Sequence, residues 1–276
     1  MKRAIYFVFF FWVCSFHSMY ALQWNGVNQA DDKTILLFHF DEAKGGGAAS
    51  TGGETFSFIA KNATAAEKSE ESANPGSQKR FGINASEITD SEPEWVPQSP
   101  NLNHGKGSAV SLSGKMGGLE LLQPLNDESG LTISFWIKIQ SSTVMGPVLC
   151  LTRPGGSIPF RIVASVVPDS QHKVFRLGSG FGDHAVFIDD KAGILDEDWH
   201  QIAIVFAPVS GGGSLIKYYH DGDFLEEKSS QDPPPGGKFV LTIGGQPWYG
   251  PGSPCEIDEL LIQNSVISDF SKPYHH

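Results

Sequence analysis

The sequence predicts an all-β protein built as a two-sheet antiparallel β-sandwich. Short β-prone segments follow one another between clusters of Gly and Pro, and no helix-length amphipathic segment lies between residues 131 and 264. Within residues 131–139 every odd-numbered position is apolar, whereas most even-numbered positions are polar. This period of two is that of a strand with one buried face. Many short strands at this spacing favour a sandwich.

Strands are predicted along most of the chain. The first ends in a Gly-rich stretch at residues 44–53, which is expected to be flexible. Residues 60–100 are poor in large apolar side chains, which indicates a long polar surface excursion. The predicted strands are 34–40, 108–112, 118–122, 131–139, 147–151, 160–166, 173–177, 185–188, 199–206, 214–220, 239–243 and 256–263.

A tight hairpin is predicted at Asp221 and Gly222, because Asp-Gly between strand residues is a strong signal for a two-residue turn. Asp221 is therefore interpreted as a turn residue rather than a calcium ligand. His200 is expected to pack against or cap its strand. Trp136 and Trp199 are interpreted as structural residues, since each lies in or at the start of a patterned strand.

The N-terminus has the layout of a secretory signal peptide. Lys2 and Arg3 precede an apolar run at residues 4–14, and a polar stretch follows it. We expect residues 1–21 to be removed and residues 22–276 to form a single domain. The apolar run is shorter than the roughly 20 residues of a spanning helix. The expected location is therefore secreted or extracytoplasmic, in the periplasm or at the cell surface, with no membrane span.

The predicted mature chain is acidic. Without Lys2 and Arg3 it has 18 basic and 31 acidic residues, a net charge of −13. A surface of this charge repels nucleic acid and anionic membranes, so neither is expected as a partner.

Two cysteines, Cys150 and Cys255, remain after removal of the signal peptide. In an oxidising compartment such a pair is compatible with a disulfide. The alternative is that each thiol is a small buried hydrophobe within its strand. The two are too few and too far apart in sequence for a zinc site, and no metal site is predicted.

Six segments occur in an order that is typical of one family: ILLFHFD at 35–41, LTISFWI at 131–137, DWHQIA at 198–203, YYHDG at 218–222, LTIGG at 241–245, and IDELLI at 257–262 with VIS at 266–268. The set resembles the laminin-G-like jelly roll of the concanavalin A-like lectin and glucanase superfamily, in the form found in secreted bacterial proteins. The resemblance implies two curved antiparallel sheets. It also implies binding of sugars, proteins or lipids, often with calcium at a sheet edge.

The chain departs from this family at the expected calcium turn. Relatives usually carry an acidic turn after the strand that matches residues 109–112. Here residues 113–118 read SGKMGG, with Lys115 where an acidic side chain is expected. Calcium needs several oxygen ligands, usually including carboxylates, so no calcium and no other cofactor is predicted at this turn. Asp258 and Glu259 are alternative ligands, unless they form the surface-facing end of a late strand.

A catalytic role is not expected. Retaining glucanases of the same superfamily carry Glu, Asp and Glu at alternating positions of one strand face. Glu256 and Asp258 would share a face, but the next residue on that face is predicted to be Leu260. The second catalytic Glu has no place, and the chain is predicted not to be an enzyme.

The candidate ligand-binding residues are Gln246, Trp248 and Tyr249, in a loop framed by Gly and Pro. Sugars stack on aromatic rings and accept hydrogen bonds from planar polar side chains. Asp183 and His184 are the second candidates. Alternatively, Trp248 and Tyr249 cover the end of the core.

The expected function is that of a secreted, non-catalytic binding module whose partner is a polysaccharide or glycan. The first alternative is a structural or protein-interaction module that binds a cell-surface protein. The second is a divergent glucanase.

Overall fold

The computed structural model describes residues 31–40, 47–49, 55–59, 94–96, 109–112, 116–121, 124–139, 146–153, 161–168, 172–180, 185–191, 193–246 and 250–270. Within these ranges the secondary structure consists of β-strands. No helix in this part of the chain is long and apolar enough to cross a membrane.

The described residues contain eighteen strands. Their bounds are β1 Thr34–Phe38, β2 Gly47–Ala49, β3 Thr55–Ile59, β4 Glu94–Val96, β5 Ala109–Ser111, β6 Met116–Glu120, β7 Leu131–Ile139, β8 Gly146–Thr152, β9 Arg161–Pro168, β10 Lys173–Gly180, β11 Val186–Asp190, β12 Trp199–Pro208, β13 Ser214–His220, β14 Asp223–Ser230, β15 Val240–Ile243, β16 Gly245–Gln246, β17 Gly250–Pro251 and β18 Cys255–Gln263.

Two eight-stranded antiparallel sheets form the sandwich. Sheet A has the order β14-β13-β12-β7-β18-β5-β4, and β1 pairs with the C-terminal half of β18. Sheet B has the order β11-β10-β9-β8-β15-β6-β3-β2. Strands β16 and β17 form a separate short pair. The predicted all-β sandwich is confirmed.

The main hydrophobic core lies between the inner faces of the two sheets. In β7 the odd-numbered residues, such as Phe135 and Ile137, point into it, as the sequence alternation predicts. Leu149 and Leu151 of β8 face them from sheet B. Removal of this apolar surface from water is the main source of stability in such a fold.

Six strands lie where none was predicted, namely β2, β3, β4, β14, β16 and β17. β2 falls within the stretch 44–53 that was expected to be flexible, and β4 falls within the predicted polar excursion. β14 follows the hairpin turn at the edge of sheet A and is largely exposed. Each of these strands pairs with a neighbouring strand through its backbone. The rest of the excursion and residues 1–21 lie outside the described residues.

The predicted Asp-Gly hairpin is confirmed. Asp221 and Gly222 have φ values of 51° and 86°, and they join β13 to β14 with His220 paired to Asp223. Positive φ at both central residues is the signature of a type I′ turn.

A second, smaller apolar cluster covers the outer face of sheet A. Residues 264–270, which follow β18, run across this face, and the Phe270 ring lies 4.5 Å from that of Tyr219. The Thr132 hydroxyl donates to the Ser265 carbonyl at 2.6 Å and accepts from the Ile267 amide at 3.2 Å. These contacts hold the segment against the sheet.

Candidate functional site

The predicted ligand-binding residues fall largely outside the described part of the chain. This applies to Trp248 and Tyr249 and to Asp183 and His184. Gln246 lies in β16, where its backbone pairs with Gly250. The assignment of these five residues to ligand binding stays a prediction.

The predicted disulfide is not present in the structure. Cys150 and Cys255 are both buried and are not bonded to each other. Cys255 points into the main core, whereas Cys150 lies on the opposite face of β8 from core residue Leu149, with its Sγ 3.1 Å from Thr152 Oγ1. The two thiols therefore lie on different sides of sheet B. Burial also raises the pKa of the Cys255 thiol, which disfavours the reactive thiolate.

The carboxylates of β18 differ from the sequence interpretation. Asp258 and Glu259 were expected to be either calcium ligands or a surface-facing strand end, but both side chains are buried. A β-bulge lies between Asp258 and Leu261, with Glu259 at a φ of 50°. The bulge turns Leu260 into the main core and places Leu261 on the outer face. Leu261, not Leu260, thus occupies the position where a glucanase would need its second Glu.

The buried carboxylates at this bulge already have partners. Glu259 lies with its two oxygens 3.0 and 3.1 Å from His39 Nδ1. Asp258 Oδ1 accepts the Glu259 amide at 2.8 Å. We refer to His39, Asp258 and Glu259 as the bulge group.

A second set of titratable side chains gathers at the rim of the sandwich. We refer to it as the rim cluster, and it consists of His200, His220, Asp190, Asp196 and Asp221. His200 lies in β12, His220 ends β13, Asp190 ends β11, Asp221 is the hairpin turn residue and Asp196 lies in the loop before β12. The strands therefore bring together five residues that are spread over 32 positions of sequence.

Three atoms of the rim cluster converge. His200 Nδ1 lies 2.8 Å from Asp221 Oδ2 and 2.8 Å from His220 Nε2, and His220 Nε2 lies 3.4 Å from Asp221 Oδ2. The two imidazole rings meet edge to face with centroids 4.7 Å apart. The other oxygen of Asp221 accepts the Gln201 amide at 2.7 Å, which fixes the direction of the carboxylate.

Carboxylates also hold the outer nitrogen of each ring. His200 Nε2 lies 2.9 Å from Asp196 Oδ1, and His220 Nδ1 lies 3.0 Å from Asp190 Oδ2. Asp190 is fully buried at its side chain and also accepts the Tyr218 hydroxyl at 2.9 Å. Asp196 and Asp221 are about half exposed, so the cluster opens to solvent on their side.

The electrostatics of the cluster follow from burial and these hydrogen bonds. Burial opposes protonation of His200, but hydrogen bonds to Asp196 and Asp221 outweigh it and raise the pKa of the ring above its ordinary value. Burial raises the pKa of Tyr218 strongly, and the Asp190 carboxylate adds to this. Tyr218 is therefore the donor in its bond to Asp190.

The sequence interpretation missed this cluster. His200 was expected only to pack against or cap its strand, and Asp221 only to form the turn. The strand register could have indicated the cluster. A hairpin from β12 to β13 through the loop at residues 209–213 pairs His220 with Ile202. His220 then lies next to His200 on the same inward face.

An exposed aromatic ring lies on the outer face of sheet B. Phe187 is 50% exposed, and its ring lies over Gly178, where an added Cβ would approach it to 3.0 Å. The Arg176 guanidinium lies 5.5 Å from the ring centroid and is paired with Asp189 through two hydrogen bonds. Phe187 follows Asp183 and His184 closely in sequence. The arrangement combines a flat apolar ring with planar polar groups.

The chain is similar to several solved structures. Domain 4 of AbnA, a GH43 extracellular arabinanase from Geobacillus stearothermophilus solved with arabinotriose, matches with a TM-score of 0.50 and 16% identity over 86% of this chain and 94% of that one. Domains LG4-5 of the mouse laminin alpha1 chain match with a TM-score of 0.43 and 13% identity over 58% and 42%. The binding domain of Botulinum Neurotoxin DC in complex with SialylT matches with a TM-score of 0.46 and 11% identity over 86% and 49%.

No curated protein matches the chain significantly in sequence. The profile of the Laminin_G_3 family, described as concanavalin A-like lectin/glucanases superfamily, matches residues 105–269, which is more than half of the chain. Those residues include β5 to β18, hence most strands of both sheets, the rim cluster, and Asp258 and Glu259 of the bulge group. The chain belongs to the Laminin_G_3 family of the concanavalin A-like lectin/glucanase superfamily.

Proposed function

We propose that this chain is a secreted, non-catalytic module that binds carbohydrate. The observation that carries the proposal is the likeness in fold to an arabinanase domain solved with arabinotriose, which extends over nearly the whole of both chains. Membership of a lectin and glucanase superfamily supports the same ligand class.

The proposed contact is the loop with Gln246, Trp248 and Tyr249. Two adjacent aromatic side chains offer faces on which a sugar ring stacks, and the Gln246 amide is a planar hydrogen-bonding group. The loop is anchored at both ends by the pairing of β16 with β17. An anchored loop loses less conformational entropy when it binds.

A second proposed contact surface surrounds Phe187. Its ring, half exposed beside Arg176 and Asp189, has the same combination of apolar face and planar polar groups. The predicted ligand-binding residues Asp183 and His184 precede it by a few positions. This surface lies on β10 and β11 at one edge of sheet B, whereas β15, which leads into the first loop, is an interior strand of that sheet.

The arrangement of β18 supports a non-catalytic role. Retaining glycosidases need two carboxyl groups about 5 to 5.5 Å apart on one face. In β18 the bulge places Leu261 on the face of Glu256, and Glu259 is buried against His39. Residues 264–270 cover part of that face.

A titration of the purified full chain with arabino-oligosaccharides and a panel of soluble polysaccharides, with calcium and with chelator, tests the proposal. We expect saturable binding in both conditions. Trp248→Ala should weaken it about tenfold or more, because loss of one stacking contact removes about 1.4 kcal/mol. Phe187→Ala tests the second surface. Phe224→Ala is the matched control, since Phe224 is 52% exposed on β14.

Absence of binding across the panel would overturn the carbohydrate proposal and favour a structural or protein-binding role. Unchanged affinity in both Trp248→Ala and Phe187→Ala would show that neither surface is the contact. Hydrolysis of any panel member that is lost in Glu256→Gln would contradict the non-catalytic assignment.

Secretion is part of the same proposal and has its own test. N-terminal sequencing of the chain recovered from outside the cytoplasm should begin near Leu22, as expected if residues 1–21 are a signal peptide. A chain that keeps Met1 would contradict the proposed cleavage.

A further inference from the structure

When both of its histidines are neutral, the rim cluster contains three atoms whose lone pairs face one another. Asp196 is placed to accept the Nε2 proton of His200, and Asp190 is placed to accept the Nδ1 proton of His220. Each neutral ring then presents a lone pair at its other nitrogen. Those two nitrogens and Asp221 Oδ2 form a triangle with sides of 2.8, 2.8 and 3.4 Å.

Three electron-rich atoms at this separation repel one another unless a cation lies among them. A proton bridges one pair of them at a time, whereas a metal ion is bonded by all three. Ligand atoms around tetrahedral zinc, with bonds of about 2.0 to 2.2 Å, are about 3.3 Å apart. One side of the triangle already has this length, and the other two need to widen by about 0.5 Å.

We propose that His200, His220 and Asp221 form a binding site for a zinc-class divalent transition metal. Two imidazoles and one carboxylate are a ligand set typical of zinc, and they leave a fourth position for water or a ligand oxygen. Calcium and magnesium are disfavoured, because both prefer oxygen ligands throughout.

The surroundings of the triangle fit a metal site. Metal-binding histidines generally donate their second ring N–H to a carboxylate or carbonyl, which orients the ring. Both histidines have such a carboxylate, at 2.9 Å for His200 and 3.0 Å for His220. Asp221 is likewise oriented by the Gln201 amide. The three aspartates also supply negative charge that favours a divalent cation.

The site would join three elements of the fold. His200 lies in β12, His220 in β13 and Asp221 in the turn to β14, so a bound metal cross-links the ends of this three-stranded unit. A ligand that binds only the folded state stabilises it in proportion to the logarithm of its concentration. Zinc is therefore expected to raise the melting temperature. This inference does not depend on carbohydrate binding.

Isothermal titration of the chelator-stripped full chain with zinc chloride at neutral pH tests the proposal. The chain should carry no polyhistidine tag, because His275 and His276 already lie at its C-terminus. We expect one zinc ion bound per chain at this site and a higher melting temperature with zinc. Cobalt in place of zinc should give the visible absorption of a site of low coordination number.

Asp221→Asn and His200→Gln should each weaken binding at least about tenfold. Asparagine tolerates the left-handed backbone at this position and keeps the oxygen that accepts the Gln201 amide, so Asp221→Asn should preserve the turn. His39→Gln is the matched control, since His39 is a partly buried histidine paired with a carboxylate outside the cluster. It should bind zinc like the wild type.

Two results would overturn the proposal. One is the absence of saturable binding in the wild type, which would mean that hydrogen bonds alone hold the three atoms together. The other is equal zinc affinity in the wild type, Asp221→Asn and His200→Gln, which would place the metal on other histidines. Melting curves recorded without metal establish that each variant is folded before it is titrated.

Discussion

The rim cluster and the bulge group contain the same kinds of side chain but use them differently. In the bulge group one ring nitrogen of His39 faces both oxygens of Glu259, and Asp258 accepts a backbone amide. In the rim cluster Asp190 and Asp196 each accept from one nitrogen of a ring, so that three acceptor atoms face one another when both rings are neutral. Carboxylate and histidine side chains thus pair with each other at a β-bulge in one region, whereas in the other they form the proposed cation site.

Asp190→Ala is expected to lower the free energy of unfolding more than any other substitution in the two regions. Its carboxylate accepts the Tyr218 hydroxyl and a ring nitrogen of His220, and all three side chains are buried. Loss of the acceptor leaves two buried donors, which should lower the free energy of unfolding by about 3 kcal/mol. Chemical denaturation measures this. The neighbouring Asp189→Ala, on the exposed face, is the control and should cost less, and an equal cost would contradict the account.

The bulge group should tolerate substitution better. Glu259→Ala removes the partner of His39, which is 26% exposed and can bind water instead, so we expect a loss of about 1 kcal/mol. Glu259→Gly should be more stable than Glu259→Ala by about 1 kcal/mol, because glycine adopts the φ of 50° without steric cost. Denaturant titration of both variants tests this. A Gly variant less stable than the Ala variant would show that the backbone is not strained there.

The ion pair of Arg176 and Asp189 is expected to make stability depend on pH. The Arg176 guanidinium holds the pKa of Asp189 below its ordinary value of 3.8. A lowered carboxyl pKa contributes stability that is present above 3.8 and is lost as the pH falls through the folded-state value. The stability difference between the wild type and Asp189→Asn should therefore be constant near neutral pH and shrink in acid. A difference that grows in acid would contradict this.

The smallest effect is expected at Glu256. Its carboxylate lies 3.8 Å from Lys138 Nζ, and both side chains are 23% exposed. Surface pairs of this kind contribute about 0.5 kcal/mol or less. Glu256→Gln should leave stability within that range and leave carbohydrate affinity unchanged, as measured by denaturation and titration. A large loss of stability would mean that the β18 carboxylates are structurally coupled.

Much of the fold could be predicted from the sequence, because its central strands have one apolar face. The bounds of β7 and β13 agree with the predicted ones, and those of β12 and β18 differ by two residues or fewer. β14 was not predicted because an edge strand is solvated and its residues are mostly polar. The bulge at Glu259 was not predicted because its sequence reads as an uninterrupted strand.

The candidate site was harder to predict than the fold. Asp190 and His200 become neighbours of His220 only when β11 packs against β13 and the β12–β13 register is set. No short sequence motif indicates that these residues are close in space. The choice between a disulfide and two buried thiols stayed open for a related reason, because sequence gives neither the face of β8 on which Cys150 lies nor its distance from Cys255.

Anomalous diffraction at the zinc edge, from crystals grown with zinc chloride, compares the two regions most directly. We predict an anomalous peak bonded by His200 Nδ1, His220 Nε2 and Asp221 Oδ2, and none at the bulge group. A peak beside His39 and Glu259, or none among the three rim atoms, would contradict the claim that the rim cluster is the metal site.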